Sequence, residues 1–260
     1  MSSLFDLKER VAVVTGGNGG IGLGIAEALA AHGCAVSIWG RNADKNAAAA
    51  DRLRKLGGKV QTLICDVADS AQAVRATEAT LAEFGRIDGC FANAGVGGGG
   101  RSGFADRTAE DWRRVFGINL DGVFHTFQPV VRHMIARAAK GNAFGRLVAT
   151  SSMATLFGTA RNEHYAGSKA AINSLVQALA VEHARYGITV NAILPGWIDT
   201  EMTEGLQAND KFMAAAMPRI PMRRFGTPQD FAGIAVYLMS GASAYHTADT
   251  IVIDGAYSVF

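Results

Sequence analysis

Apolar and polar positions along the chain alternate between two textures. Short runs that stay apolar, rich in β-branched residues, lie at 11–15, 35–39, 60–65, 87–92, 146–150, 188–194 and 250–253. Between them stand longer stretches of helical pattern, at 21–32, 44–56, 70–84, 108–137, 163–186 and 228–240. A strand covered on one face alternates apolar with polar residues, whereas a continuously apolar run is covered on both faces. The repeated strand–helix order therefore predicts an α/β fold. The expected form is a Rossmann-like, doubly wound parallel sheet of about seven strands, with right-handed crossovers and helices on both faces.

Local signals agree with these limits. Gly33 follows the first helical stretch and Gly57-Gly58 the second, where a left-handed residue ends a helix. Thr227 before Pro228 suits a helix start. No Pro-rich or Ser-rich linker and no repeat divides the chain, so 1–260 reads as one domain. The segment 197–225 has weak periodicity and carries Met202, Met213, Met217 and Met222, adaptable fillers of irregular apolar space. It is expected either as a substrate lid or as a helix pair packed on the body. The glycine run 97–100 is expected to be a mobile loop.

Composition narrows the function. Hydrophobic residues make up 49% and charged residues 18%, enough for a sizeable core and too apolar for disorder. The net charge is +2 and no basic run exceeds two residues, which argues against nucleic acid or a membrane surface as partner. The apolar stretch 11–26 is broken by Thr15, Asn18 and glycines, so no membrane span is expected. Cys34, Cys65 and Cys90 are an odd, widely spaced set. Buried thiols in a reducing compartment are expected, with no metal site and a cytoplasmic location.

Chemistry enters at Thr15-Gly16-Gly17-Asn18-Gly19-Gly20-Ile21-Gly22, between the first strand and the first helix. Glycines there permit a tight turn, let a pyrophosphate approach the backbone, and let helix pack closely on strand. This is a dinucleotide-binding pattern. Tyr165 and Lys169 are four apart in a helical stretch, hence on one face. An ammonium near a phenol is expected to lower the phenol's pKa and make it a proton-transfer group. Ser152 lies 13 residues before Tyr165, just past a strand's carboxyl end, where such sheets place ligands. Ser151 is its rival. Asn93-Ala94-Gly95 ends the fourth strand, and Asn119 stands inside a helical stretch that Asn suits poorly.

This set, in this order and joined by Pro195-Gly196 and Thr200, resembles the classical short-chain dehydrogenase/reductase family along essentially the whole chain. The resemblance implies an NAD(P)-dependent oxidoreductase that interconverts a secondary alcohol and a ketone by hydride transfer. The alternative is a non-catalytic dinucleotide-binding regulator of the same fold. Tyr165 is then the general acid/base, and Ser152 orients the carbonyl. Lys169 holds the nicotinamide ribose and lowers the Tyr165 pKa, while Asn119 positions a water that relays protons through Lys169. The implied cofactor contacts are Gly16, Asn18, Gly20, Ile21 and Gly22 in the loop, with Asp66 and Val67 at the adenine. Asn93, Ala94 and Gly95 follow on the adenosine side, and Pro195, Gly196, Ile198 and Thr200 frame the nicotinamide.

NAD-preferring relatives carry Asp where this chain has Gly40. Arg41, followed by Asn42, stands ready for a 2′-phosphate, so NADP is favoured over NAD. His164 and Trp197 join Ser152 and Tyr165 as candidate substrate contacts. Helices apolar on more than one face point to a homotetramer, as relatives commonly form. Two departures from the family stand near the end: Ala248 and Ala256 occupy positions where glycine is usual.

Overall fold

The strands of the computed structural model, which describes residues 4–98 and 103–260, are β1 (Val11–Thr15), β2 (Ala35–Gly40), β3 (Val60–Ile64), β4 (Gly89–Ala92), β5 (Gly145–Thr150), β6 (Ile188–Pro195) and β7 (Thr250–Ile253). They form a single sheet in the order β3-β2-β1-β4-β5-β6-β7. Every pair is parallel, with Val13 opposite both Ser37 and Cys90, and Ala149 opposite Ala192. The expected α/β sheet is therefore present with all seven strands. The chain winds outward from β1 to β3, then restarts at β4 and winds the other way, so the switch point lies between β1 and β4.

The helices are α1 (Gly20–Ala31), α2 (Ala43–Lys55), α3 (Ser70–Phe84), α4 (Ala109–Phe116), α5 (Gly122–Ala138), α6 (Glu163–His183), α7 (Glu204–Gln207), α8 (Asp210–Ala216) and α9 (Ala232–Met239). Strand side chains alternate between two cores. Val13, Cys90 and Leu147 face a core built with α3, α5 and α6. Ala12, Val14, Phe91 and Val148 face a second core built with α1, α2 and α9. Continuous apolar strands are the sequence consequence of this double covering. Cys34, Cys65 and Cys90 are buried free thiols.

The helical stretch expected over 108–137 is divided by a π-helical turn at Gly117–Asp121, with Asn119 inside it. Capping is visible elsewhere. Asn42 accepts a bond from the Lys45 amide, and Thr227 and Asp230 form a reciprocal capping box. At the foot of the sheet, away from the strands' carboxyl ends, Asp88 is fully buried. It is held by Arg86 at 2.7 Å, Arg137 at 2.6 Å and Arg10 at 3.5 Å. A buried carboxylate without such partners would be strongly destabilising.

The 197–225 segment leaves the end of β6 as an excursion whose two ends are pinned together. The Gly226 amide donates to the Trp197 carbonyl and the Asp199 amide to the Gly226 carbonyl. Its Ile220 and Phe225 form a small core with Met153 and Tyr257 of the body, and Trp197 and Phe212, in T-shaped contact, pack against it. Of the glycine run expected as a mobile loop, Gly97 and Gly98 are described; Gly99 and Gly100 lie outside the described residues.

The two alanine departures have a backbone signature. Ala248 and Ala256 adopt φ of 68° and 69°, the left-handed region that glycine enters without a Cβ penalty. Replacing each by glycine is expected to raise the unfolding free energy by about 0.5–1 kcal/mol, once glycine's greater unfolded-state entropy is offset. The double variant should melt about 2–4 °C higher in a thermal unfolding scan. An unchanged or lower melting temperature would show that neither alanine is strained.

Candidate active site

The carboxyl ends of the central strands open into one cleft of about 620 Å³. Gly16 (φ 63°) turns the chain sharply out of β1, and its amide donates to the Trp39 carbonyl at 2.7 Å. Gly19 caps α1 without a side-chain partner, and Gly19, Gly20 and Ile21 bring the start of the helix to the cleft, a favourable place for an anion. Gly22 does not line the cleft. A Cβ there would fall 2.2 Å from the Gly16 carbonyl oxygen, so it is a packing glycine that lets α1 lie against the loop.

At the outer corner, Asn46 on α2 joins three pieces of chain. It accepts a bond from Asn18 at 2.7 Å and donates to the Gly40 carbonyl at 2.9 Å and the Leu63 carbonyl at 3.2 Å. A Cβ on Gly40 would lie 2.4 Å from the Asn18 amide nitrogen and 2.5 Å from the Asn46 oxygen. A side chain at position 40 would displace the Asn18–Asn46 pair. Arg41 beside it is 65% exposed and 3.9 Å from Asp66, and both line the cleft with Asn42 and Val67.

The inner end is stitched across strands. The Thr15 hydroxyl accepts from the Asn93 and Ala94 amides at 3.0 Å each. The Asn93 side chain donates to the Thr15 carbonyl and accepts from Thr150, so its amide group is committed to β1 and β5. Pro195 at the end of β6, with Gly196, Ile198 and Thr200 beyond it, completes this wall.

Beside them Ser152, Tyr165 and Lys169 converge, the first from the end of β5 and the others from one face of α6. Ser151 is directed elsewhere, its hydroxyl donating to the Lys169 carbonyl at 3.0 Å. The Ser152 hydroxyl accepts from the Ala154 amide and stands by the Tyr165 side chain, near enough to pull its pKa down. Lys169 is buried; its Nζ donates to the Thr150 carbonyl at 2.6 Å and lies 5.9 Å from the Tyr165 ring centre. Burial removes water from the ammonium and pushes its pKa down to about 8. The expected lowering of the Tyr165 pKa is corrected: burial raises it, and the opposing pull comes from the Ser152 hydroxyl rather than from Lys169.

Asn119 is fully buried behind this group. Its oxygen accepts from the Val96 amide at 2.8 Å, and its nitrogen donates to the Val96 carbonyl at 3.1 Å and to Ser168 at 3.2 Å. The π-helical turn gives this poor helix former its place, and its side chain supports the cleft wall from behind without lining it.

Two expected substrate contacts also stand outside the cleft. The His164 side chain is fully buried against the Gly98 carbonyl, and Trp197 packs into the small aromatic core of the 197–225 excursion. Conversely, Lys45 lines the cleft without having been expected there, and Glu201, Met202 and Thr203 line it from the 197–225 segment. Lys45 and Glu201 form an ion pair of 2.6 Å between α2 and the segment after β6. The two are 156 residues apart in the chain, so no local pattern announces their meeting. Among the described residues no cluster of side chains suits a metal ion, and no helix is long and apolar enough to cross a membrane.

A family model described as Enoyl-(Acyl carrier protein) reductase matches residues 16–258. The chain belongs to the classical short-chain dehydrogenase/reductase family. It is 36% identical to a 3-oxoacyl-(acyl-carrier-protein) reductase, FabG, of Chlamydia pneumoniae, over 95% of this chain and 96% of that one. It is 35% identical to the sorbose reductase sou1 of Schizosaccharomyces pombe, over 99% of each. Among solved structures, a gluconate 5-dehydrogenase from Burkholderia cenocepacia in complex with NADP and tartrate superposes with a TM-score of 0.91. It has 34% sequence identity, and the match covers 98% of both chains. This short-chain dehydrogenase/reductase is accordingly an NAD(P)-dependent oxidoreductase of alcohols and ketones.

The low Lys169 pKa has a consequence for stability. Below about pH 8 the folded protein must keep a buried amine charged, whereas the unfolded chain protonates it freely up to its ordinary value of 10.5. The unfolded state therefore binds more protons between those values, and stability relative to a Lys169→Met variant should rise with pH across that window. The expected gain is on the order of 1–3 kcal/mol. Urea denaturation of both proteins at pH 7.5, 9 and 10 reads the difference, in which the Tyr165 contribution cancels. Parallel pH profiles would refute the burial argument.

Proposed function

We propose that the protein is an NADP(H)-dependent short-chain alcohol dehydrogenase/carbonyl reductase in which Tyr165 exchanges the proton with the substrate oxygen. The observation carrying this reading is the meeting of Ser152, Tyr165 and Lys169 in the cleft that also holds the glycine loop and the start of α1. The glycine cradle, the uncapped helix start and the committed Asn93 amide fit a dinucleotide laid across the switch point. Bound there, NADP supplies or accepts the hydride.

The chain's own groups do the rest. Burial keeps the Tyr165 phenol protonated at neutral pH, ready as an acid toward a carbonyl oxygen. Ser152 donates to the same oxygen and fixes its position. Lys169, with its pKa near 8, titrates close to neutral pH and serves as the proton reservoir behind the phenol. Asn119 acts by position, tying Val96 on the cleft wall to Ser168, the residue before Lys169. Gly40, which offers no carboxylate to a ribose 2′-hydroxyl, and the exposed guanidinium of Arg41 on the cleft support NADP over NAD. Met202 and Thr203 on the cleft support the 197–225 excursion as a lid. Exposed Trp112, Phe124 and Val181 on α4, α5 and α6 support a homotetramer, and the free thiols a cytoplasmic location.

A panel of 5-keto-gluconate, sorbose and an acetoacetyl thioester, each with NADPH and NADH, tests the reading through absorbance of the reduced nicotinamide. Tyr165→Phe should lose about 10²–10⁴-fold in kcat while NADPH affinity, followed by fluorescence, stays unchanged. Arg41→Ala should weaken NADPH by about 10–100-fold and NADH little. Undiminished turnover by Tyr165→Phe would remove the phenol from the chemistry, and equal loss for both cofactors would remove Arg41 from phosphate recognition.

A further inference from the structure

We propose that His164 is a positioning residue that ties the cleft wall at 95–98 to the first turn of α6, beside Tyr165. The imidazole is fully buried, and its Nε2 lies 2.7 Å from the Gly98 carbonyl oxygen. A carbonyl only accepts, so Nε2 carries the proton and donates. Nδ1 is buried and, among the described residues, has no partner. The ring is thus spent on a single bond, and that bond goes to the backbone of a glycine.

Gly98 is pressed against the same pair of residues. A Cβ there would fall 1.8 Å from the Asn162 side-chain oxygen and 2.8 Å from His164 Cε1. Val96, two positions earlier, has both its amide and its carbonyl taken by Asn119, which reaches Ser168. Ser168 in turn donates to the Tyr165 carbonyl at 2.7 Å. The wall is therefore fastened to α6 twice, at Val96 through Asn119 and at Gly98 through His164. Further along, Arg107 donates to the Arg161 carbonyl at 2.9 Å and lies 3.9 Å from Glu163, drawing the same two loops together.

Gly95, Val96 and Gly97 line the cleft, and His164 does not. A glycine-rich wall has much backbone freedom to lose, so a ketone that packs on it binds only as tightly as the wall is pre-organised. His164 supplies that order without touching substrate. Its kinetic consequence rests on the alcohol–ketone reading; its structural consequence does not.

The test compares His164→Phe, His164→Asn and His164→Gln. A glutamine amide nitrogen reaches the place of Nε2, and an asparagine nitrogen stops at the place of Nδ1. With 5-keto-gluconate as probe, Phe and Asn should raise KM about tenfold, the size of one lost buried hydrogen bond. kcat should stay within about twofold and NADPH affinity should not change, because the hydride and proton donors are untouched. Gln should restore KM. In parallel, amide hydrogen exchange in peptides ending at residue 98 should quicken in Phe and Asn and return to wild type in Gln. Gln behaving like Phe, or Phe leaving both KM and exchange unchanged, would overturn the proposal. If Phe does not fold, the Asn–Gln contrast decides. Absence of turnover in the wild-type protein would count against the alcohol–ketone reading alone, and the exchange contrast would still decide the tether.

Discussion

A buried ammonium facing a strand-end carbonyl is the constraint on which the rest of the cleft depends. The Lys169 amine is bonded to the Thr150 carbonyl, and the Ser151 hydroxyl returns a bond to the Lys169 carbonyl. These two bonds run in opposite directions between α6 and the end of β5. Leaving a buried amine or carbonyl unpaired costs more than either bond returns, so the two elements hold one relative setting. That setting brings Ser152, the next residue along, to the Tyr165 side chain one turn before Lys169.

The same logic extends across the sheet. Thr15, Asn93 and Thr150 sit at the ends of β1, β4 and β5 and share hydrogen bonds among hydroxyls, amides and carbonyls. Backbone groups at a strand's end have no next rung in the ladder and must find partners. Here they find each other, and the crevice at the switch point becomes a rigid floor. Stability and function are divided between the two ends of the strands. The foot is held by the paired Asp88, and the carboxyl end carries the cleft.

Burial also sets the chemistry. A phenol and an amine taken out of water both lose their charged forms, one titrating higher and the other lower. From nearly equal ordinary values the two shifts move the titrations apart, so the phenol stays the proton-bearing acid while the amine, at about 8, gains and loses its proton near neutral pH. The lysine's influence is thereby different from that of an exposed ammonium beside a phenol.

Much of this was legible along the chain. Seven continuously apolar runs, the glycine loop from Gly16 to Gly22 and the four-residue step from Tyr165 to Lys169 determine strands, turn and helix face by local rules, because period and backbone freedom are local properties. Ala248 and Ala256 were visible as departures, and their left-handed φ gives the departures physical meaning. What stayed hidden depends on approach between distant segments. Lys45 meets Glu201, His164 meets Gly98, and Asn46 gathers Asn18, Gly40 and Leu63. Trp197 turns into its own aromatic core and Gly22 serves packing rather than the cleft. The sign of the Tyr165 shift belongs to the same class. Hydration and hydrogen-bond partners are settled only when the sheet, the loops and α6 close on one another, and no spacing along the chain encodes which side chains lose their water.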